Sequence, residues 1–513
     1  MNLALLSFVD MNVRPVIAGT ASGSLLAAAS LPGPQGPLVL VALVPLLHFL
    51  ASAPTHGRAA LAGAMCGTFG LVAGFGWAIG VEGASGSIGA TGLFLVGSGL
   101  IALSALFAIA VARLARHSAG LALASAPPLW VVLEYLRAQD WGLPLPWNQL
   151  GYALGESPAL MQAASVTGVY GLSFWAVATA AGLAASNRVP SRARLLGGIA
   201  LALPAFLGWT LLQLPETSSG PGLRVAAVQP LIRVDPSGDS SFQDDLRLVL
   251  ELSEAVAPGA DVVVWPESTW QRVVTPAGDP FLGSIAHHLG APVLTGVNSF
   301  VDSDSALRNR VVLAGTARAQ RAVAAKVHPV AFFERAPLGR LGRTLARYGS
   351  WPGRFSPGTL EDPILIERAD GTDALVGSMV CIDTAYPDIA RTLRRRGARI
   401  LLSLTNEALT GTWSARQHAR IARMRAVENR TPVVRVANTG PTLWIDSRGR
   451  IVAELPAGRA ASGVELLTLA GPPPLAVHLG DAPVLAGSAA VLLAIPWLVR
   501  FPRRAPSTPK ENP

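Results

Sequence analysis

The first 215 residues are built from apolar segments, each close to the ~20 residues that cross the hydrocarbon core of a bilayer. They fall at 15–31, 37–53, 60–80, 90–112, 119–136, 158–185 and 195–214. Such a series leaves few folding options. In lipid every backbone N–H and C=O must be satisfied within the segment, so each segment is predicted to be an α-helix. Residues 216–477 read differently: they mix charge, Pro, Gly and short apolar runs, as a globular α/β domain does. One more apolar segment, 482–499, lies within 478–500, and a basic, Pro-rich tail closes the chain at 501–513. The expected organisation is a membrane domain over 1–215 with about seven helices, a polar domain over 216–477, a last span over 478–500 and a cytoplasmic tail. The chain start reads as a first span rather than a cleaved leader, since it lacks a clear n-region and small-residue cleavage site. Composition agrees: 50% of the residues are hydrophobic and 14% charged, where soluble domains carry roughly a quarter charged.

The net charge of +9 follows topology better than it follows a nucleic-acid surface, and no nucleic-acid partner is expected. Cationic residues gather in alternate connections: Arg14; Arg58; Arg113 and Arg116; Arg188, Arg192 and Arg194; then Arg500, Arg503, Arg504 and Lys510. The opposite connections, near 32–36, 81–89 and 137–157, hold only Arg137. By the positive-inside rule, eight spans then put both termini in the cytoplasm and the polar domain outside. In a bacterium that is the periplasmic face of the inner membrane. One outer connection, 134–154 (EYLRAQDWGLPLPWNQLGYAL), carries two Trp, two Tyr and few charges. It reads either as an interfacial anchor or as the lining of a lipid-facing entrance, with Glu134 and Arg137 able to pair at a span end.

In the polar domain, strands are expected at 223–229, 261–265, 292–296, 309–315, 374–380, 399–404 and 432–437. Helices are expected at 241–256, 387–396 and 415–428. The alternation argues for layered α/β structure. Two strand ends stand out. VGSMV ends in Cys381, one of two cysteines; the other, Cys66, lies in an apolar segment. DVVVW runs into Pro266 and Glu267. Lys326, followed by His328 and Glu334, is with Lys510 one of the few lysines in a chain that otherwise uses arginine. The bland readings are a small core residue for Cys381, an N-cap acid for Glu267 and a surface lysine for Lys326. The stretch 338–357, rich in Arg and Gly with Trp351, reads as a surface loop, with a lid as the alternative.

Thiol, carboxylate and ammonium together make a coherent chemistry. A thiol at its ordinary pKa is mostly protonated at neutral pH, and a carboxylate can take its proton as general base. Attack on a carbonyl then makes an oxyanion that a fixed ammonium stabilises. Histidine is not required; His328 is the second candidate for the base. Two cysteines in different surroundings do not make a disulfide framework or a cysteine zinc site, so no metal is expected.

Glu267 in WPES, Lys326 with His328 and Glu334, and Cys381 in CID resemble the Glu-Lys-Cys triad of the nitrilase superfamily. Set within a multi-span chain, they resemble the apolipoprotein N-acyltransferases. EYLR (134–137), LPWNQLGY (145–152) and GVYGLSF (168–174) carry the resemblance in the membrane half. VAAVQP (225–230) and RMRAVENRTPVVRVANTG (423–440) carry it in the polar half. There are departures. Pro329, Ala331 and Phe333 replace the family's Leu, Pro and Gly. Ile382-Asp383 replaces Tyr-Glu, and 406–410 (NEALT) lacks the usual aromatic pair. The resemblance implies a multi-span α-helical membrane domain plus an extracytoplasmic α-β-β-α sandwich. It implies two-step acyl transfer from a membrane phospholipid to the N-terminal diacylglyceryl-cysteine amine of lipoproteins. Cys381 would be nucleophile, Glu267 base, Lys326 oxyanion stabiliser and Glu334 a supporting carboxylate, in a monomer needing no cofactor. A membrane-anchored amidase would use the same triad, but an anchor needs one span, not eight. A catalytically decayed paralogue is the remaining alternative.

Overall fold

The computed structural model describes residues 3–80, 87–140, 144–185, 191–216, 218, 220–232, 242–274, 279–300, 307–315, 320–331, 333–336, 355–368 and 370–500. The possible lid at 338–357 lies, up to residue 354, outside the described residues.

Helices Leu3–Ser30, His56–Phe75, Ser87–Ala115, Ala119–Ala138, Ala164–Ala185, Ser191–Gln213 and Ala482–Arg500 overlap seven of the expected apolar segments. Three described stretches, Gly92–Ala115, Ala119–Ala138 and Ala164–Ala185, are long and apolar enough to cross a membrane. Large apolar side chains such as Phe94 and Leu493 point outward from this bundle, 72% and 74% exposed, as a lipid-facing surface requires. The segment expected at 37–53 is different. It is broken into Val39–Ala42 and Val44–Leu50, because Pro45 in the second helix has no N–H to continue the ladder. As one piece, Gly36–Leu50 rises only about 22 Å at 1.5 Å per residue, against a core of about 30 Å. Leu46, Leu47 and Leu50 are buried in the bundle instead.

The segment expected at 158–185 is also interrupted. Gly168 takes φ 67° and ψ 179° inside Ala164–Ala185, a conformation that glycine tolerates and other residues resist. The break frees the Val169 N–H, which donates to Glu428 Oε1 at 2.5 Å. A carboxylate from the polar domain thus satisfies a backbone donor of the membrane bundle, as irregular backbone at this depth demands.

The polar domain contains two sheets. The first runs, in spatial order, Ala461–Leu467, Leu223–Gln229, Val262–Val264, Val293–Phe300, Leu307–Ala314 and Gln320–Ala325, with Trp270–Val274 paired to Val293–Phe300. The second runs Ile451–Leu455, Thr442–Ile445, Val433–Ala437, Ile400–Thr405, Asp373–Val380 and Ile364–Glu367. Strand periodicity explains the apolar runs. Leu223, Val225 and Ala227 join Ile400, Leu402 and Leu404 in the core between the sheets. Ala226 and Val228 turn the other way, onto the face covered by helices Phe242–Glu254 and Pro280–Leu289. On the second sheet Met379 and Leu401 pack against residues of helices Pro387–Arg395 and Gly411–Asn429. The central strands are thus buried on both faces, giving an α-β-β-α sandwich.

Helix Gly411–Asn429 joins the halves. Ala419, Ala422 and Ala426 lie in the core of the second sheet, while Ile421, Met424 and Val427 lie in the core of the membrane bundle. Arg420 donates through two of its nitrogens to Glu156 Oε1, at 3.0 and 3.1 Å. The polar domain therefore rests directly on the bundle.

Candidate active site

All three expected site residues follow strands at the same end of the sandwich. Glu267 lies just past Val262–Val264, Lys326 directly follows Gln320–Ala325, and Cys381 directly follows Asp373–Val380. The first two belong to one sheet and the third to the other. Packing the sheets face to face closes the distance that the sequence leaves open.

The structure brings the three together. Lys326 Nζ donates to Glu267 Oε1 at 2.9 Å and to Glu334 Oε1 at 2.7 Å. Lys326 and Glu267 are 2% and 4% exposed, so this pair sits in low dielectric, where an unpaired charge would be costly. Cys381 lines the same cavity as Glu267 and Lys326. Neither Glu267 nor Glu334 is a loose acid. Asn309 Nδ2 donates to Glu267 Oε1 at 2.6 Å, and the Asn406 N–H donates to Oε2 at 3.0 Å. The Val330 N–H donates to Glu334 Oε2 at 2.7 Å. The backbone turns sharply beside Glu267 and at Cys381. Ser268 has φ 57° and Cys381 φ 50°, left-handed conformations that end the extended chain and lift the Glu267 and Cys381 side chains clear of the strand ends.

The electrostatics follow from burial and neighbours. Burial pushes the Cys381 thiol well above its ordinary value, and the Glu267 charge adds to this. At rest Cys381 is therefore a protonated thiol. Burial also raises Glu267, although Lys326 pulls the other way; its proton affinity is tuned toward accepting a proton. Burial disfavours the Lys326 ammonium, but a Cys381 thiolate, once formed, and the Glu267 and Glu334 carboxylates outweigh that and hold its pKa well above normal. It stays charged across the neutral range.

Gly296 backs this arrangement. A Cβ there would fall 2.5 Å from Glu267 Cα and 2.7 Å from Ser268 N. Gly296→Ala is expected to cost about 1–3 kcal/mol, as overpacking does, and to displace the Glu267 turn. A thermal melt should show a lowered Tm, and an acyl-transfer assay a lowered kcat. An unchanged kcat would show that the turn has slack.

His328, the second candidate for the base, also lines the cavity of the site. Its ring stacks on Tyr386 at 3.6 Å, and Nδ1 lies 3.1 Å from Asp383 Oδ1. Asp383 also accepts the backbone N–H groups of Val327 and His328, both at 2.9 Å, tying the lysine loop to the nucleophile loop. The expected Glu134–Arg137 pair is not formed among the described residues. Glu134 Oε1 instead accepts from Trp130 Nε1 and the Leu150 N–H, both at 2.8 Å, because the 144–156 segment folds back over that helix end.

Sequence reasoning passed over a second buried group. His418 Nε2 lies 3.0 Å from the Cys381 carbonyl oxygen and Nδ1 lies 3.1 Å from Glu407 Oε1. Arg435 pairs with Glu407 from the other side. Burial opposes the Glu407 charge, but Arg435 and His418 overcome it and pull its pKa down to about 2. Arg435, a charged residue inside the otherwise apolar strand Val433–Ala437, was the available signal.

A cavity of about 360 Å³ contains the triad. Its apolar wall comes from the membrane helix, with Leu93, Val96, Leu100 and Leu103, and from Phe75 and Trp77. The 144–147 segment lines it too, through Pro144, Leu145, Pro146 and Trp147. Trp147 is held by its Nε1 donating to Gln417 Oε1 at 2.9 Å. Residues 144–147 of the aromatic connection are thus cavity lining. Pro329, Ala331, Phe333, Ile382, Leu409 and Thr410, where the chain departs from the family pattern, all line this cavity.

The polar half, from residue 224 to 465, matches the family model for carbon-nitrogen hydrolases, so the fold and the strand-end site define a carbon-nitrogen hydrolase domain carried on a helical membrane bundle. Residues 22–182 match the model for the apolipoprotein N-acyltransferase N-terminal domain. An apolipoprotein N-acyltransferase of Geobacter metallireducens is 34% identical over 69% of this chain and 70% of its own length. Those of Allorhizobium ampelinum and Bordetella bronchiseptica are 32% and 29% identical, the latter over 95% of this chain and 97% of its own length. The chain belongs to the apolipoprotein N-acyltransferase family.

Proposed function

We propose that Cys381 carries a fatty acyl chain from a membrane phospholipid to the α-amine of a lipoprotein's N-terminal diacylglyceryl-cysteine. Glu267 accepts the thiol proton as Sγ attacks the donor ester carbonyl. Lys326 and nearby N–H groups stabilise the oxyanion. The tetrahedral adduct collapses to a thioester, and Glu267 returns its proton to the departing lysophospholipid oxygen. The amine then attacks the thioester, an amide forms, and the thiolate leaves with Glu267 shuttling the amine proton back to sulfur. Each half-reaction breaks and makes one acyl bond, so the kinetics are ping-pong. Glu334 holds Lys326 in place throughout.

The observation that carries this reading is the shared cavity: the same space holds thiol, carboxylate and ammonium and is walled by a membrane helix. An acyl chain can enter from the bilayer side and meet the nucleophile without crossing water. A small-amide hydrolase has no use for that wall. We place the protein in the bacterial inner membrane, termini cytoplasmic and residues 216–477 periplasmic, on the distribution of arginines between connections.

Phospholipid with a radiolabelled chain should label the protein through a hydroxylamine-labile bond, and a diacylglyceryl-cysteine peptide should discharge the label as a stable amide. Protease added outside intact spheroplasts should cut within 216–477. No label, label that the peptide cannot discharge, or cleavage only after lysis would each overturn the corresponding part.

A further inference from the structure

We infer that Arg137 is the anchor for the phosphate diester of the acyl donor. The inference deepens the donor assignment above and rests on it. Arg137 lies in the last turn of Ala119–Ala138, a helix long and apolar enough to span the membrane. The end of such a helix sits at the depth of lipid headgroups. Arginine at a span end commonly serves only to snorkel toward water and to offset the helix dipole. Here Arg137 lines the same cavity as Cys381, Glu267 and Lys326.

Its acidic neighbours form no ion pair with it. Glu134, one turn back, gives Oε1 to Trp130 and Leu150 and leaves Oε2 without a hydrogen bond, so it offers Arg137 charge but no bonded partner. Asp140 pairs with Arg335 Nη2 at 2.8 Å. Among the described residues the Arg137 side chain makes no hydrogen bond or ion pair, while its backbone oxygen accepts from the Leu145 N–H at 2.8 Å. That last bond fixes the helix end against the 144–147 lining. A guanidinium held in an apolar cavity calls for an anion, and its planar fork matches two oxygens of a phosphate. A phospholipid has one such group close to its ester carbonyls. The amine-bearing acceptor, a diacylglyceryl-cysteine, has none. Arg137 would then serve the first half-reaction, setting which ester carbonyl reaches Cys381.

The test compares two donors on the full-length protein in detergent micelles: phosphatidylethanolamine, and p-nitrophenyl palmitate, which has no phosphate. The readout is acyl-enzyme formation on Cys381. Arg137→Gln should lower the kcat/KM ratio of phospholipid to nitrophenyl ester by about 10- to 100-fold, the range for a lost charge-assisted hydrogen bond, mostly through KM. Arg137→Lys should recover part of that ratio. Should the Gln variant fail to fold, the Lys variant alone still reads the ratio. A ratio that stays constant while both donors slow together overturns the inference, since Arg137 would then support only the fold. Inorganic phosphate at constant ionic strength should leave the phospholipid rate untouched; competitive inhibition would reassign the site to free phosphate and overturn it too. A wild-type protein acylated by the nitrophenyl ester and not by the phospholipid would instead sink the donor assignment itself.

Discussion

Cys381→Ala is expected to remove both half-reactions, lowering acyl transfer by on the order of 10⁵–10⁶-fold, as loss of a nucleophile does elsewhere. Cys381→Ser should be almost as severe. The serine hydroxyl can occupy the same strand-end position, but its proton is far harder to remove, and Glu267 is tuned for a thiol. The informative contrast is in the label. Wild-type protein should hold the acyl chain through a hydroxylamine-labile thioester, whereas the Ser variant should hold none or a slowly formed oxygen ester. A hydroxylamine-labile thioester persisting in the Ser variant would move the nucleophile away from Cys381; Cys66, buried in the membrane bundle, is the only other thiol able to form one. The pH dependence adds a second check. Glu267 must be ionised to accept the thiol proton, and burial raises its pKa above the ordinary 4.5. The acid limb of the first half-reaction should therefore fall as pH drops through that raised value, at higher pH than a solvent-exposed glutamate would give. Glu267→Gln should abolish the limb together with most of the rate.

The site was legible where chemistry and strand ends coincide. Glu267 and Cys381 each end an apolar run, and Lys326 is a lysine in an arginine-using chain, so their residue types drew attention before any geometry. Their supports were not. Asn309 sits within a strand whose partner supplies Lys326, and only the register, with Arg310 opposite Ala325, places its amide against Glu267. Asp383 reads as a conservative loss of one methylene from the family's glutamate, yet it holds the two amides that follow Lys326. His418 lies on a helix of mixed face, and nothing local shows that this helix is buried on two sides at once. The fold had a similar limit. The central strands are buried on both faces and announce themselves as β-branched runs. Ile451–Leu455 and Ala461–Leu467 are exposed or half-buried along nearly all of their length, with burial patterns that carry no clean alternation. Their place is set by long-range pairing: Ala461–Leu467 returns to lie antiparallel to Leu223–Gln229, more than 200 residues earlier in the chain. Pairings of that separation are written in tertiary contacts rather than in local propensity. The broken segment at 37–53 shows the opposite failure, where hydropathy outweighed a legible proline.

Lys326→Met should cost at least about 10³ in kcat. A single oxyanion donor is worth roughly 10²–10³, and Lys326 also neutralises two carboxylates. Without it, Glu267 and Glu334 would face each other across a buried space with no cation between them. Like charges in that position push a carboxyl pKa up. The acid limb of the pH profile should therefore move to higher pH in the variant, beyond the wild-type position that burial already raises. A purely structural lysine would lower Tm without moving that limb. Lys326→Arg should not rescue the rate, because the planar guanidinium cannot place three donors around one point between Glu267, Glu334 and an oxyanion as an ammonium does. Loss of stability is separable from loss of chemistry in the double variant Lys326→Met, Glu334→Gln. Removing one of the two opposed acids should restore much of the Tm while leaving kcat at the level of the single variant. If kcat returned along with Tm, the ammonium would be a scaffold for the carboxylates and the oxyanion would need another donor, with backbone N–H groups around the Cys381 turn the remaining source.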